Sequence, residues 1–220
     1  MSGASDARDY LRIVEHYESC LRDFREGPAA VNWRSVEDAA TRYDVMLGVV
    51  RDRAAPASLL DFGCGLAELK PHMERAGYGA LRYSGLDISP HFVAAARARF
   101  PDSEFLCLDV LEQGRPLPPF DYVVMNGIFT RRHNVEVEQM WRYLERLLGR
   151  VFESCRIGLA FNVMSSAVDW QSEVLFHADP GRLLAFIGGS LTRHFALRND
   201  YGLYETTCYL YREPGARFAR

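Results

Sequence analysis

Apolar side chains recur at helical spacing over residues 10–50, in two runs separated by Gly27-Pro28. The first run consists of Tyr10, Ile13, Val14, Tyr17, Leu21 and Phe24. The second run consists of Val36, Ala39, Ala40, Tyr43, Met46, Leu47 and Val50. Ser35 precedes it and has an acid three residues later, as in a capping box. The spacing predicts two amphipathic helices, which we expect to form a helical cap over residues 1–55.

From about residue 57 the pattern alternates between strand and helix. Strands are predicted near residues 57–62, 82–87, 103–108, 120–126 and 155–163. Helices are predicted near residues 67–76, 90–99 and 136–150. Ser89-Pro90 and Asp179-Pro180 each place a capping residue before a proline, so another helix is expected after residue 180. This alternation favours a parallel sheet with helices on both faces.

The last two predicted strands, near residues 192–198 and 204–211, are joined by only five residues. They must pair antiparallel, because a parallel crossover needs about a dozen residues or more. The expected fold class is therefore α/β, with a doubly wound, mostly parallel seven-stranded sheet that ends in an antiparallel hairpin. We expect residues 56–220 to form this Rossmann-like unit, compact with the cap.

Composition narrows the possible partners. The 220 residues carry a net charge of −3, which provides no general attraction to nucleic acid or an anionic membrane. Residues 1–9 lack the pattern of a signal peptide, and no apolar run reaches the roughly 18 residues of a membrane span. The five cysteines lack Cys-x-x-Cys spacing, which predicts reduced thiols in a cytoplasmic protein.

A glycine turn follows the first predicted strand. The strand ends at Asp61, and Gly63 and Gly65 allow a tight turn that brings the backbone close to a ligand. Glu68 stands where a dinucleotide fingerprint has its third glycine. A carboxylate at that helix start would oppose a pyrophosphate, so a ligand with little or no phosphate fits better.

Polar residues also end the next three strands. Asp87 is placed to accept hydrogen bonds from both hydroxyls of a ribose. Asp109 is placed to accept from an exocyclic amine such as that of adenine. Asn126-Gly127 ends the fourth strand. All of them should meet at the carboxyl edge of the sheet, where open parallel sheets bind ligands.

Together these motifs resemble the class I S-adenosylmethionine-dependent methyltransferases, over roughly residues 57–211. The resemblance implies that the glycine turn approaches the methionine part of the cofactor, that Val110 lies against the adenine ring, and that residues 126–128 pass near the sulfonium. Ala67 departs from the family, in which many members have glycine. The implied cofactor contacts are Trp33, Arg34, Asp61, Gly63, Gly65, Leu66, Asp87, Ile88, Asp109, Val110, Asn126 and Gly127.

Trp33 and Arg34 belong to this set because they stand in the turn between the two predicted helices. In the family such helices often cover the cofactor, and an arginine can hold a carboxylate with two hydrogen bonds. Tyr17 is expected in core packing and Arg42 on a solvated helix face. Asn162, at the end of the fifth strand, either orients a substrate or caps the strand.

Methyl transfer from a sulfonium needs mainly positioning, and it needs a base only when the acceptor must lose a proton. His133 and His177 are the candidate catalytic residues, because each follows a strand on the ligand-binding edge. The alternative for each is an exposed loop histidine. Arg131-Arg132 suits either an anionic acceptor or a solvated surface pair. No metal is expected.

The predicted function is methyl transfer to an oxygen or nitrogen of a small-molecule acceptor. Residues 126–129 do not match the Asn/Asp-Pro-Pro-Tyr motif that resembles amino-methylating enzymes of DNA. From this motif and the net charge we expect no nucleic-acid or membrane partner. We also expect a monomer or homodimer. Two alternatives stay open: a nicotinamide-dependent oxidoreductase, and a non-catalytic accessory protein that binds S-adenosylmethionine.

Overall fold

The computed structural model describes residues 10–24, 35–112, 116–132 and 134–215. Its helices are α1 (Leu11–Phe24), α2 (Val36–Leu47), α3 (Leu69–Arg75), α4 (Pro90–Arg99), α5 (Val137–Glu153) and α6 (Pro180–Phe186), which continues as a π-helical turn (Ile187–Leu191). Its strands are β1 (Ala57–Phe62), β2 (Leu81–Asp87), β3 (Glu104–Cys107), β4 (Phe120–Phe129), β5 (Cys155–Ser165), β6 (His177–Ala178), β7 (Phe195–Arg198) and β8 (Glu205–Tyr211). The predictions for Trp33, Arg34 and His133 lie outside the described residues.

The strands form one sheet in the order β3-β2-β1-β4-β5-β8-β7. The first five pair in parallel, and β8 and β7 close one edge as an antiparallel hairpin. The predicted doubly wound α/β fold with its C-terminal hairpin is therefore confirmed. An eighth strand, β6, was not predicted: it pairs in parallel with Met164 and Ser165, beyond the last β4 partner on β5.

Two of the predicted boundaries that were wrong have local reasons. Helix α3 begins at Leu69 rather than at residue 67, because Ala67 has a φ of +58°, which an α-helix cannot contain. The first hairpin strand begins at Phe195 rather than at residue 192. Thr192 instead ends the π-helical turn, where its backbone N–H donates to the Ile187 carbonyl at 2.9 Å.

The predicted helix starts are made by the expected side chains. Ser35 Oγ accepts the backbone N–H of Asp38 at 3.0 Å at the start of α2. Ser89 Oγ accepts two backbone N–H groups at the start of α4, and Asp179 Oδ1 accepts one at the start of α6. These caps satisfy donors that the first helical turn leaves without partners, and so they fix where each helix begins.

The sheet separates two apolar cores, and β1 contributes to both. Leu60 packs in the core that also holds Tyr10 and Ile13 of α1, whereas Leu59 packs in the core that holds Met46 of α2. A strand with apolar side chains on both faces is what a covered parallel sheet requires. The two N-terminal helices therefore lie on opposite faces of the sheet. None of the helices in the described ranges is both long and apolar enough to cross a bilayer.

Candidate functional site

A cavity lies at the carboxyl ends of β1, β2 and β4, with side chains of α1 and α2 in its wall. The structure brings together in its lining every described residue that the sequence placed at the cofactor. These are Asp61, Gly63, Gly65, Leu66, Asp87, Ile88, Asp109, Val110, Asn126 and Gly127. Their convergence follows from the topology, because the carboxyl ends of parallel strands share one edge of the sheet.

The glycine turn is tied to the neighbouring strand. The backbone N–H groups of Gly63 and Cys64 both donate to the Leu86 carbonyl, at 2.7 and 2.9 Å. Gly63 has a φ of +73°, and a Cβ atom there would lie 2.2 Å from Ile128 Cδ1. The turn therefore needs glycine both for its backbone conformation and for its close approach to the segment after β4.

Asp87 is buried at the end of β2 with part of its hydrogen-bonding capacity in use. Its Oδ2 accepts the Gly65 N–H at 3.0 Å and its Oδ1 accepts the Ser89 N–H at 2.9 Å. Burial raises the pKa of Asp87 to about 6, against the lowering effect of these backbone donors. Each carboxylate oxygen has a further lone pair, so Asp87 can still accept from two hydroxyls.

Helix α1 is connected to Asp87 through Ser89. Ser89 Oγ, which caps α4, donates to Glu18 Oε1 of α1 at 2.6 Å. The Glu18 charge contributes to the raised pKa of Asp87. Nothing in the sequence pattern indicated this contact, since Glu18 lies between the apolar positions of α1.

Asp109 is held from both sides. Its Oδ2 accepts the Tyr10 hydroxyl at 2.6 Å, and its Oδ1 accepts the Leu111 N–H at 2.9 Å. The Tyr10 ring stacks on Tyr143 of α5, with centroids 5.1 Å apart and planes at 9°. Tyr10 therefore anchors the start of α1 over the acid that the sequence assigned to the adenine amine.

Asp61 is the most buried of the three acids Asp61, Asp87 and Asp109. It is 5% exposed and accepts the Tyr83 hydroxyl at 2.8 Å. Burial raises the pKa of Asp61 to about 7, and the nearby Asp87 charge adds to the increase. Burial keeps water from solvating the charged form of Asp61, and acids whose pKa is raised in this way are common at functional sites.

A buried polar chain connects the cavity to α2. Asn162 Oδ1 accepts the Gly127 N–H at 2.8 Å, and Asn162 Nδ2 donates to Glu205 Oε2 at 2.6 Å and to Asn126 Oδ1 at 3.3 Å. Arg42 forms an ion pair with the other oxygen of Glu205. The expectation that Arg42 lies on a solvated helix face was wrong, because its side chain is 15% exposed and pairs with a buried carboxylate.

Two tyrosines of the N-terminal helices, Tyr17 and Tyr43, also line the cavity. Both stood at apolar positions of the helical pattern, so the sequence assigned them to packing. Burial raises the pKa of Tyr17, while its hydrogen bond with the Thr130 side chain and the nearby Arg131 charge act in the opposite direction. The only sign in the sequence that these residues line a site was the presence of a tyrosine at the boundary of an apolar helix face.

The structure does not bring His177 into the cavity lining. His177 lies in β6, where its Nδ1 is 2.8 Å from the Ser165 carbonyl and its Nε2 accepts the Ser172 N–H at 3.1 Å. A carbonyl can only accept and a backbone N–H can only donate, so both ring nitrogens are engaged. This geometry ties the loop between β5 and β6 together.

The arginines after β4 also engage that loop. Arg132 donates through Nε to the Glu173 carbonyl and through Nη1 to the Val135 carbonyl at 3.3 Å. Arg131 forms an isolated bridge with Leu175 through its backbone. Arg132 is therefore used in loop structure, and Arg131 is the member of the pair that lies near α1. In the part of the chain that the structure describes, no cluster of three or more histidine, cysteine or acidic side chains is placed to hold a metal ion.

Comparison with known proteins agrees with this geometry. Residues 59–150 match the family described as a methyltransferase domain. A protein of Mycobacterium tuberculosis, Rv1506c, which is named as a methyltransferase, is 31% identical over 159 residues, which are 70% of this chain and 92% of the relative.

Solved structures show the same fold at low sequence identity. Magnesium protoporphyrin IX methyltransferase from Synechocystis, with bound S-adenosylmethionine, aligns over 97% of this chain and 100% of its own, with a TM-score of 0.60 and 14% identity. The amino pentose methyltransferase CalS10 from Micromonospora echinaspora aligns over 82% of this chain and 92% of its own, with a TM-score of 0.56 and 14% identity. On the motifs, the fold and these similarities, the chain belongs to the class I S-adenosylmethionine-dependent methyltransferase family.

Proposed function

We propose that this methyltransferase acts on an oxygen or nitrogen atom of a small molecule, at the end of the cavity formed by residues 126–128. S-adenosylmethionine supplies an electrophilic methyl group and a good, neutral leaving group. The protein's own contribution is to hold donor and acceptor in line and to keep water out. No nicotinamide chemistry is needed to explain the site, and family membership disfavours that alternative.

The observation that supports this assignment most is the free hydrogen-bonding capacity of Asp87 and Asp109 in one cavity wall. Each accepts two hydrogen bonds from the protein, and each keeps lone pairs for a ligand. We assign Asp87 to the ribose hydroxyls and Asp109 to the adenine amine. Gly63 and Gly65 would bring the backbone close to the methionine part, as the positive φ of both glycines permits.

The similar structures and the composition support the proposed acceptor, partners and location. The similar structures named above are called methyltransferases of a porphyrin and of an amino pentose, which supports a small-molecule acceptor here. The net charge of −3 supports the absence of a nucleic-acid partner. The five free cysteines support a reducing, cytoplasmic location, and we propose a monomer or homodimer there.

Three further assignments complete the proposed site. Trp33 and Arg34 would contact the cofactor from the segment that precedes α2, and His133 would act as the base when the acceptor must lose a proton. The loop over residues 164–178 and the N-terminal helices would cover the bound substrates. For His177 the geometry supports a role in ordering that loop, because both ring nitrogens already have backbone partners.

Calorimetric titration with S-adenosylmethionine tests the proposed cofactor site. Asp87→Ala should weaken binding by about tenfold or more, because it removes charge-assisted contacts to the ribose. Asp102→Ala is the matched control, since Asp102 is exposed in the turn before β3 and should leave the affinity unchanged. An unchanged affinity in Asp87→Ala would contradict the assignment. Release of S-adenosylhomocysteine with a metabolite mixture then separates an enzyme from a binding-only protein.

A further inference from the structure

The polar chain runs from Arg42 through Glu205 and Asn162 to Asn126. Its donors and acceptors have a defined order, because the Glu205 carboxylate can only accept hydrogen bonds. Glu205 is 3% exposed and pairs with Arg42 through Oε1. Its other oxygen, Oε2, lies 2.6 Å from Asn162 Nδ2. A carboxylate in an ion pair offers no proton, so Asn162 must turn its NH₂ group toward Glu205.

This orientation fixes the next amide as well. With its NH₂ group toward Glu205, Asn162 presents Oδ1 to the Gly127 N–H at 2.8 Å. The second N–H of Asn162 Nδ2 reaches Asn126 Oδ1 at 3.3 Å. Asn126 must therefore direct its own NH₂ group away from the chain of hydrogen bonds.

That NH₂ group is buried and has no hydrogen-bond partner among the described residues. A buried donor without a partner destabilises the folded state, so a native protein rarely keeps one without a use. Asn126 lines the cavity together with Gly63 and Ile128, and Ile128 approaches the glycine turn closely. The unpaired donor therefore belongs to a residue of the cavity wall, and a ligand in the cavity is the source from which it can gain a partner.

We infer that Asn126 Nδ2 donates a hydrogen bond to the methyl-acceptor atom and thereby selects an oxygen nucleophile. This inference rests on the proposed function and narrows it. A hydroxyl oxygen has two lone pairs, so it can accept from Asn126 with one and attack with the other. A neutral amine nitrogen has a single lone pair and cannot do both.

The transfer balances for an oxygen acceptor. One oxygen lone pair forms the new C–O bond while the C–S bond breaks, and its electron pair neutralises the sulfonium to a thioether. The hydroxyl proton passes to a base, for which His133 is the candidate, or to water. Asn126 keeps its protons throughout and only orients the oxygen. Glu205 and Asn162 are positioning residues, since they act through Asn126.

Binding of two cofactor analogues tests where Asn126 points without knowledge of the acceptor. In sinefungin a carbon that carries an amine replaces the sulfur, so an ammonium stands at the methyl position at neutral pH, whereas S-adenosylhomocysteine has no group there. Asn126→Asp should tighten sinefungin relative to S-adenosylhomocysteine by about tenfold, because a carboxylate then faces the ammonium. Asn126→Ala should shift the same ratio in the same direction by about threefold, because it only removes a repelling donor.

The control variant is Asn134→Asp, which makes the same chemical change at an exposed residue. It should leave the ratio of the two affinities unchanged. An unchanged ratio in both Asn126 variants would overturn the inference. This outcome includes an equal loss of affinity for both analogues, which would mean that Asn126 contacts a part that they share. If the wild-type protein bound neither analogue, the proposed function itself would fail.

The acceptor atom is tested directly by the fate of the methyl carbon. The wild-type protein is incubated with S-adenosylmethionine labelled with ¹³C in the methyl group and a small-molecule extract of bacterial cells. The carbon chemical shift of the product distinguishes a methyl ether or ester from a methylamine. We expect the label on oxygen, and a product with the label on nitrogen would overturn the selection of oxygen.

Discussion

The Tyr10 hydroxyl donates to Asp109 Oδ2 at 2.6 Å and thereby joins the start of α1 to the residue that follows β3. The same ring stacks on Tyr143. A residue far from the glycine turn in sequence thus holds one wall of the proposed adenine site. The N-terminal region therefore contributes a hydrogen bond to the site as well as side chains to the cavity wall.

Replacement of Tyr10 by phenylalanine separates these two contributions. Tyr10→Phe keeps the stacked ring but removes the hydrogen bond, so the free energy of unfolding should fall by about 1 kcal/mol. The affinity for S-adenosylmethionine should fall by about threefold, because Asp109 loses a fixed orientation. Denaturant unfolding and calorimetry measure the two effects. Tyr211→Phe is the control: it loses a 3.2 Å bond to the Val49 carbonyl and should keep the cofactor affinity.

Asp61 should make the protein less stable as the pH rises. Burial raises the pKa of Asp61 to about 7 in the folded state, above its value in the unfolded chain. The folded state therefore holds the proton more tightly, and this group's contribution to stability falls between about pH 4 and pH 7. Asp61→Asn can still accept from Tyr83 and removes the charge, so it should add about 2 kcal/mol to the free energy of unfolding above about pH 7.

Denaturant unfolding at two pH values checks this sign. The gain from Asp61→Asn should be clearly smaller near about pH 5 than near about pH 8. The same gain at both values would contradict the pKa assignment. Asp102→Asn, at an exposed position, should show no such pH dependence.

Ala67 stands where many members of the family have glycine, and replacing it tests how this position affects the free energy of unfolding. It has a φ of +58° and is fully buried. Ala67→Gly relieves about 1–2 kcal/mol of left-handed strain, but it loses about 0.8 kcal/mol of methyl burial and about 0.5–1 kcal/mol through backbone freedom. Because these effects nearly cancel, the free energy of unfolding should change by less than about 1 kcal/mol.

A larger side chain at the same position should not be tolerated. Ala67→Val adds a β-branched side chain at a positive φ in a filled space, so it should destabilise the fold by about 2 kcal/mol or more. Thermal unfolding of the alanine, glycine and valine forms gives the comparison. Equal stability of all three would show that the turn relaxes more easily than its geometry indicates.

The two candidate histidines should differ in kinetics. With an acceptor identified by methyl labelling, His133→Gln should lower kcat/KM by about a hundredfold and remove the acidic limb of its pH profile, as loss of a general base does. His177→Gln should keep the profile and lose about 1 kcal/mol of stability through its backbone partners. Rates of S-adenosylhomocysteine release across pH distinguish them, and the reverse pattern would exchange their roles.

The sequence predicted the parallel part of the fold closely, because its signals are local. The strand at 57–62 and the helix at 90–99 have the predicted bounds, and Ser89 caps the helix as expected. Buried apolar runs, a capping serine and a first-turn proline each act within a few residues. The two-residue strand β6 has no such pattern, since its pairing depends on where β4 ends.

The polar contacts of the site were harder to predict. Arg42 and Glu205 are 163 residues apart in sequence, and each alone is typical of a solvated surface. Only the topology shows that α2 and β8 meet beside the end of β5. Tyr10 was placed correctly on an apolar helix face, but periodicity does not indicate what its hydroxyl contacts. Side-chain partners distant in sequence therefore account for most of what the pattern missed.

The position of Glu205 on β8 has a consequence for how the protein becomes functional during synthesis. The glycine turn and its acids belong to the segment from β1 to just beyond β3, but the orientation of Asn126 waits for β8, which follows all the other strands in the chain. A nascent chain that stops before β8 would possess a nucleotide pocket whose transfer end has no defined donor. Competence to bind and competence to react would thus arise at different times in the life of the same chain.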